Sequence, residues 1–474
     1  MNFMPVILWS DSLVFLLMVA GMASAWYVRQ HEHLMLPWRR VARSAIAKVS
    51  LLVLSLFLVV GLLDTLHYRA ALPEKNGGAA VYSPEVLSVF DKLAEPLRTH
   101  TEKTYSAPLA ITLYAKESST DTHGRVVRDY PRLQYGGAHL ADATQRDGDV
   151  VRRSLLGALA GIGVVAFVSI IASFLKGWDT SGPGPKSFST GWNSAFAEMT
   201  GNKTFMAVLI AALLLAALIG AVANLATAYH VLGTDKVGQD VLYLSLKSIR
   251  TGLIIGTVTT LVTLPLGLLL GIAAGYLRGW VDDAIQYVYT VLSSIPSVLL
   301  IAAMVLMTQL FIDMHAEWFD VASKRADIRL LCLCMILGVT SWTGLCRLLR
   351  GETLKLRELE YIQAAQAFGV SSVRILTRHI VPNVMHIVLI SLVMDFSALV
   401  LAEAVLSYVG VGVDPAMISF GTMINGARLE MGREPMVWWA LAAAFAFMLV
   451  LVLAANLFAD AVRDAFDPRL NRSE

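Results

Sequence analysis

The chain has 474 residues, of which 56% are apolar and only 16% charged, and its mean hydropathy is +0.62. Soluble domains carry about one-quarter charged residues, so this balance excludes a single soluble core, and it excludes disorder, which needs an apolar-poor chain. The net charge of +2, from 38 basic and 36 acidic residues, leaves no footprint for nucleic acid.

About 20 apolar residues cross one bilayer core. Nine such stretches are predicted, near 6–27, 49–66, 154–175, 205–227, 251–275, 286–311, 329–346, 384–405 and 436–458. The expected fold is an all-α polytopic membrane protein of about nine transmembrane helices with a small α+β extramembrane insert. Ala23-Ser24-Ala25 resembles a cleavage site, but no Lys or Arg precedes Arg29, so the first stretch reads as a retained helix.

Short loops rich in Lys and Arg face the cytoplasm. Loop 28–48 carries Arg29, Arg39, Arg40, Arg43 and Lys48, which puts the N-terminus outside. Alternation then places loop 176–204 inside, with Lys176, Lys186 and Lys203. Loop 347–383 also falls inside, with Arg347, Arg350, Lys355, Arg357, Arg374 and Arg378, as does the C-terminus, with Arg463, Arg469 and Arg472. Arg152 and Arg153 oppose this order, but they end a long segment, where charge weighs little.

Residues 67–153 are expected to form a small periplasmic α+β domain. Ser83-Pro84-Glu85 reads as a helix start, with a break before Pro96. Leu109, Ile111 and Leu113 alternate like a strand, Thr122-His123-Gly124 reads as a turn, and a second strand is predicted at 125–130. A linker at 179–191, containing Gly182-Pro183-Gly184-Pro185, follows the third helix. The expected organisation is therefore two helices in 1–66, the outer domain in 67–153, a third helix and cytoplasmic linker in 154–204, and a six-helix domain in 205–470, with no internal repeat.

Chemical motifs are absent. There is no Gly-Lys dipeptide, hence no Walker A loop, and no His-Glu-x-x-His, Cys-x-x-Cys or Gly-x-Ser-x-Gly. Cys332, Cys334 and Cys346 lie in or beside one apolar stretch and read as buried small residues rather than a disulfide framework. His31-Glu32-His33 reads as a juxtamembrane polar patch rather than a metal pair. No catalytic, cofactor or metal residues are expected, and the chain is not expected to be an enzyme. Asp395 and Glu403 are ionisable residues deep in the eighth stretch, and such groups face protein or a water-filled path. A proton-driven carrier is expected to show more of them.

The loop at 347–383 is the most informative segment. It reads Arg-Leu-Leu-Arg-Gly-Glu-Thr-Leu at 347–354, then Glu360-Tyr361-Ile362-Gln363-Ala364-Ala365-Gln366-Ala367-Phe368-Gly369, and ends His379-Ile380-Val381-Pro382-Asn383. This predicts two short helices joined at Gly369, which suits a left-handed helix end, with small Ala364 and Ala365 allowing close approach and Pro382 opening the next span. Such a polar hairpin outside the lipid is a docking lever.

The segment resembles the cytoplasmic Glu-Ala-Ala loop in the permease subunits of ABC importers. Ala364, Ala365, Gly369 and Pro382 match the spacing, while Gln363 replaces the usual Glu and Val381 a frequent Leu. Gly233-Thr234-Asp235-Lys236-Val237-Gly238-Gln239-Asp240 resembles a signature of the dipeptide and oligopeptide permeases, with Gln239 in place of Arg. Gly267, Gly271 and Gly275, followed by Tyr276 and Gly279-Trp280-Val281-Asp282, resemble a further family run, and their spacing lets helices approach closely. Glu403-Ala404-x-Leu406-Ser407-Tyr408, Phe420-Gly421 and the tail from Asn456 to Leu470 complete the resemblance, which covers about 205–470 and favours the C-type subunit.

The resemblance implies an inner-membrane permease of a peptide importer. It implies a second, B-type permease, ATP-binding subunits, a periplasmic substrate-binding protein and peptide as cargo. It also implies an ATPase-coupling loop at 355–380 carried by Tyr361, Gln363, Ala364, Ala365, Gly369 and Pro382. Nickel or another small solute is an alternative cargo, and a membrane-anchored sensor or scaffold is an alternative role. Two departures stand out: residues 1–200 add three helices and the outer domain, and 311–329 is longer and more charged, with Asp313, Glu317, Asp320, Lys324 and Arg325. The outer domain is expected either to contact the binding protein or partner permease, or to be a spacer.

Overall fold

The computed structural model describes residues 3–72, 82–120, 126–179, 203–315, 317 and 321–466. The Gly182-Pro183-Gly184-Pro185 linker, the turn at Thr122-His123-Gly124, Asp320, Arg469, Arg472 and the tail motif at Asp467-Pro468-Arg469-Leu470 lie outside the described residues. Among the described residues nine helical stretches are long and apolar enough to cross a membrane: Trp9–Gln30, Ala45–Thr65, Ala143–Ile171, Thr204–Ala226, Val241–Leu277, Ser297–Met314, Ala322–Arg357, Ser372–Val409 and Trp439–Phe466. Each overlaps one predicted stretch, and the chain is an all-α polytopic membrane protein.

The helices are α1 (Trp9–Gln30), α2 (Glu32–Val41), α3 (Ala45–Thr65), short α4 (Val89–Leu93) and α5 (Glu95–Thr99), α6 (Arg146–Asp179) and α7 (Lys203–Ala226). There follow α8 (Val241–Leu277), α9 (Trp280–Ser294), α10 (Ser297–Met314), α11 (Ala322–Arg357), α12 (Glu360–Ala367), α13 (Ser372–Ile375), α14 (Val381–Val409), α15 (Phe420–Glu430) and α16 (Trp439–Phe466). The predicted sixth stretch, 286–311, is two elements. The chain leaves α9 at Ile295 in an extended conformation and restarts at Ser297 after Pro296, which cannot continue a helix hydrogen-bond ladder. Apolar runs resume on both sides of Ser293-Ser294-Ile295-Pro296-Ser297, so averaged hydropathy does not reveal the break that Pro296 marks.

The centre is α8 against α11. Gly267, Gly271 and Gly275 form a shallow stripe on α8 in which α11 lies. A Cβ on Gly271 would sit 2.8 Å from the Cys346 carbonyl oxygen, and one on Gly275 would sit 2.8 Å from that of Arg350. Ile254, Ile255 and Val258 of α8 pack with Leu330, Leu333 and Leu337 of α11, Ile301 and Val305 of α10, and Leu399 of α14. The extra helix α3 is built into this body, with Phe57 buried beside Ile249, Val400, Phe420 and Leu451. The pair α6 and α7 stands at the edge, joined where Gly157 and Gly161 meet Ala216 and Gly220.

α1 is fixed by buried charge. Asp11 accepts hydrogen bonds from Arg250 of α8 (2.6 Å) and from His67 (2.8 Å), and Asp327 of α11 accepts from the Ser10 amide (3.2 Å) and hydroxyl. Removing one partner of such a pair leaves an uncompensated buried charge, at a cost of about 3–5 kcal/mol.

Helix ends fall into two groups. The start of α1, residues 67–72, 82–120 and 126–142, loop 227–240 and loop 410–438 share one end of the bundle. The far end of α8, α9, α12 and the C-terminal part of α16 share the other, where α2 also packs through Val41 on Val462 and Trp38 on Phe466. This is the alternation that nine spans require.

The outer segment departs from expectation in detail. Its three-stranded antiparallel sheet, in the order β1 (Phe3–Val6), β2 (His67–Ala70), β3 (Leu87–Ser88), borrows its first strand from the N-terminus. The helix predicted from Ser83 instead begins at Val89, capped by Ser88, because Ser88 and Asp91 form a reciprocal capping box. It does stop before Pro96, and α5 follows with that proline in its first turn. No strand forms at 109–113. Ile111 and Leu113 are buried, so their alternation marks packing, and pairing is limited to one bridge between Thr112 and Arg132. β5 (Val126–Asp129) fulfils the second prediction and pairs with β4 (Glu117–Thr120). Arg152 and Arg153 both bond Asp149, at 2.9 and 2.8 Å, so neither is a free positive charge.

Candidate coupling surface at one end of the bundle

The hairpin begins where α11 stops at Arg357 and turns into α12. α12 ends in a Schellman-type closure. Gly369 lies in the left-handed region at φ +76°, its N–H donates to Gln366 O (3.0 Å), and the Val370 N–H donates to Ala365 O (3.1 Å). The second arm differs from the expected separate helix. α13 runs through a π-turn at Leu376–Ile380 directly into α14, with Pro382 near its start. Pro382 has no N–H, and the widened turn accommodates that missing donor. Asn383 donates its side-chain amide to His379 O at 2.6 Å, bracing the turn.

The hairpin is anchored by Ile362, Ile375 and Ile380, all fully buried against Ile272, Tyr276, Leu345, Leu349 and Val384. Polar contacts lock its root to α8. Arg278 donates to Glu358 (2.6 Å), Arg357 donates to the Tyr276 carbonyl (2.8 Å), and Gln366 donates to the Tyr276 hydroxyl (3.3 Å). Arg350 of α11 meets Asp282, in the first turn of α9, through two hydrogen bonds of 2.6 and 2.8 Å. The Arg350 guanidinium holds the Asp282 carboxyl below its ordinary range.

The opposite face is open. Tyr361 is 47% exposed, Phe368 87% and Val373 70%. Gln363 and Ala364 also point outward, whereas Ala365 is half-buried and belongs to the anchor. The Gln363 amide folds back toward Glu358 O at 3.3 Å. Pro382 is exposed beside Asn383, whose amide lies 3.3 Å from the Tyr361 hydroxyl. The six residues expected from sequence therefore lie on one hairpin, five with outward faces and one packed inward. Sequence reasoning does not single out Phe368, although an aromatic residue just before the terminating glycine of a polar hairpin is a readable signal. It also does not single out the three isoleucines.

At the other end, the Gly-Thr-Asp run is a structural joint. Thr234 donates to Thr104 O (2.8 Å) and accepts from the Ser106 N–H (2.7 Å), while Trp439 donates to Thr234 O (2.9 Å). Asp240 caps α8 by accepting from the Leu242 N–H at 2.8 Å. In α14, Glu403 is buried and its Oε1 accepts from Ser407 (2.7 Å) and Ser419 (2.8 Å), which brings two of the sequence motifs together.

Residues 267–472 match the family described as the binding-protein-dependent transport system inner membrane component. The oligopeptide transport system permease protein OppC of Mycobacterium tuberculosis is 32% identical over 239 residues, 50% of this chain and 76% of that protein. This chain belongs to the permeases of ABC importers. The glutathione transport system permease protein GsiD of Pectobacterium atrosepticum is 34% identical over 241 residues, covering 51% of the permease and 73% of that relative. The dipeptide transport system permease protein DppC of Bacillus subtilis is 29% identical over 248 residues, 52% and 71% of the two chains. The family match contains the glycine stripe of α8, the Asp282–Arg350 pair and the whole hairpin of this permease.

Proposed function

We propose that the chain is the transmembrane permease subunit of an ATP-binding-cassette importer for peptides, in a bacterial inner membrane, with its N-terminus outside and C-terminus cytoplasmic. Residues 205–470 are the permease domain, 67–153 the periplasmic segment, and 1–66 and 154–204 the added helices and linker. A second, B-type permease completes the pathway, two ATP-binding subunits dock on the cytoplasmic loops of the pair, one of them on this hairpin, and a periplasmic binding protein delivers cargo. The chain itself is not an enzyme.

The observation that carries this reading is the hairpin, with three buried isoleucines on one face and exposed Tyr361, Phe368 and Val373 on the other. A surface anchored rigidly to α8 and α11, yet presenting an apolar knob toward the cytoplasm, transmits a push from a bound subunit to the bundle. The role of Tyr361, Gln363, Ala364, Ala365, Gly369 and Pro382 is to shape that knob. The names of the relatives, which speak of oligopeptide, glutathione and dipeptide transport, support peptide over nickel.

Affinity purification of the tagged chain from its native membrane, followed by reconstitution, tests the proposal. The expected result is co-purifying ATP-binding subunits and ATP-dependent uptake of labelled short peptides. A chain that purifies free of any ATPase would support the sensor or scaffold reading and contradict this one.

A further inference from the structure

α14 carries two carboxylates in opposite circumstances. Eight residues at about 100° each leave Asp395 and Glu403 about 80° apart around the helix. Glu403 is buried and its Oε1 is held by two serine hydroxyls, at 2.7 and 2.8 Å, so it is a fixed internal acceptor. Asp395 is half-buried and, among the described residues, has no hydrogen bond or ion pair.

Its position makes this consequential. Fourteen residues separate Asp395 from each end of α14, Val381 and Val409, or about 21 Å either way at 1.5 Å per residue. The carboxylate therefore sits near mid-depth of the bilayer. The exposed Met394, Leu401 and Val405 form an open line about 100° round the helix from Asp395, with exposed Leu392 and Ala398 beside the carboxylate, while Leu399 and Val400 turn into the core. α8, α11, α15 and α16 cover other faces of α14 and leave this stripe open. An apolar stripe alone would suit lipid. An unpaired carboxylate at mid-depth does not, because lipid offers neither water nor a counter-charge.

We infer that Asp395 lines the solute path and receives a cationic group of the cargo, the free N-terminal ammonium of a peptide in transit. Charge complementarity calls for a cation. A permanent basic side chain of the second permease is the competing source, but lasting buried ion pairs are held by extra hydrogen bonds that fix both partners. Asp395 lacks that support whereas Glu403, on the same helix, has it. A freely oriented carboxylate flanked by Met394 and leucines suits successive, differing solutes that share only their ammonium end. This inference rests on the proposed peptide importer.

The test uses the whole importer in proteoliposomes, comparing a labelled tripeptide with its N-acetylated form. The wild-type assembly should take up the free peptide about tenfold faster. Asp395→Asn should erase that preference while the acetylated peptide still enters and the subunits still co-purify. An unchanged preference in Asp395→Asn would overturn the inference. So would loss of the second permease from the purified Asp395→Asn assembly, which would mark a subunit ion pair. A second arm replaces Cys332, Cys334 and Cys346, introduces Asp395→Cys and applies a water-soluble cationic thiol reagent. Labelling that transported peptide slows, free and acetylated alike, supports the place of Asp395 on the path; absence of labelling overturns it. If the wild-type assembly moves neither peptide, the cargo reading fails, and the reagent alone decides whether Asp395 faces water.

Discussion

At the residue scale the hairpin turns on Gly369. Its φ of +76° is open to glycine and strained for β-branched side chains, while the space around its absent Cβ is empty. Gly369→Val therefore acts through backbone strain alone, about 1–2 kcal/mol, and should tilt the exposed Phe368 away from its position without displacing the buried isoleucines. The expected outcome is normal membrane insertion with peptide-stimulated ATP hydrolysis reduced several-fold; Gly369→Ala should lie between. Equal stimulation in Gly369→Val and wild type would show that the turn geometry does not matter. The turn, Ala364 and Pro382 are legible in the sequence because glycine and proline carry their conformations locally. The burial of Ile362, Ile375 and Ile380 is not, since a short amphipathic segment has no fixed direction until α8 and α11 supply the surface it packs against.

At the element scale the outer segment is a part of the bundle rather than a tethered unit. Glu102 accepts backbone N–H bonds from Gln134 (2.9 Å), Tyr135 (2.8 Å) and Gly136 (3.2 Å), and its own N–H donates to Gly238 O at 2.9 Å. His230 lies between Asp240, at 2.7 Å, and Glu102, at 3.5 Å. Burial alone would lower the His230 pKa, but its hydrogen bond to Asp240 and its ion pair with Glu102 raise it to about 9. Burial would likewise raise Glu102, yet the nearby His230 ring and the hydrogen bonds from three amides lower it to about 2.

These shifts fix the sign of the pH response. A raised His contributes fully below its unfolded value of about 6.5 and is lost as pH rises through about 9. A depressed Glu contributes fully above about 4.3 and is lost as pH falls toward 2. The joint between the outer segment and α8 should be tightest from about pH 4.5 to 6.5 and loosen progressively from about 6.5 to 9. Hydrogen exchange at 102–140, corrected for the intrinsic pH dependence of exchange, measures this, with protection falling over that same window in the wild type. His230→Asn should lower protection at pH 6 and flatten the change; an unchanged profile would contradict the assignment. The sequence shows turns and caps here, but not the joint, because Thr234 and Ser106 are 128 residues apart in the chain. For the same reason Leu109, Ile111 and Leu113 imitate a strand, since burial at every second residue is all that alternation records.

At the scale of the whole molecule, nine spans were readable because each apolar run is long enough on its own. The break at Pro296 is lost in averaged hydropathy, because apolar runs lie beyond Ser293 and Ser297, although the proline itself marks it. Sidedness is tested by thiol labelling in a background without native cysteines. Ser88 is a poor position, being buried with its hydroxyl on Asp64 at 2.6 Å, whereas Ser118 and Ser371 are exposed at opposite ends. Ser118→Cys should react with an impermeant reagent in intact spheroplasts, and Ser371→Cys only after the membrane is opened. The reverse pattern would invert the topology.

The central claim is that the hairpin is where ATP-binding subunits push on the bundle. The most direct measurement is site-specific cross-linking from Phe368→Cys in the assembled native complex, using a short thiol-to-amine reagent with and without ATP. The account predicts a cross-link to an ATP-binding subunit whose yield changes with nucleotide, and none from Leu449→Cys, exposed midway along α16 and away from the hairpin. A Phe368→Cys protein that inserts, assembles and hydrolyses ATP normally yet forms no cross-link to the ATPase would contradict it.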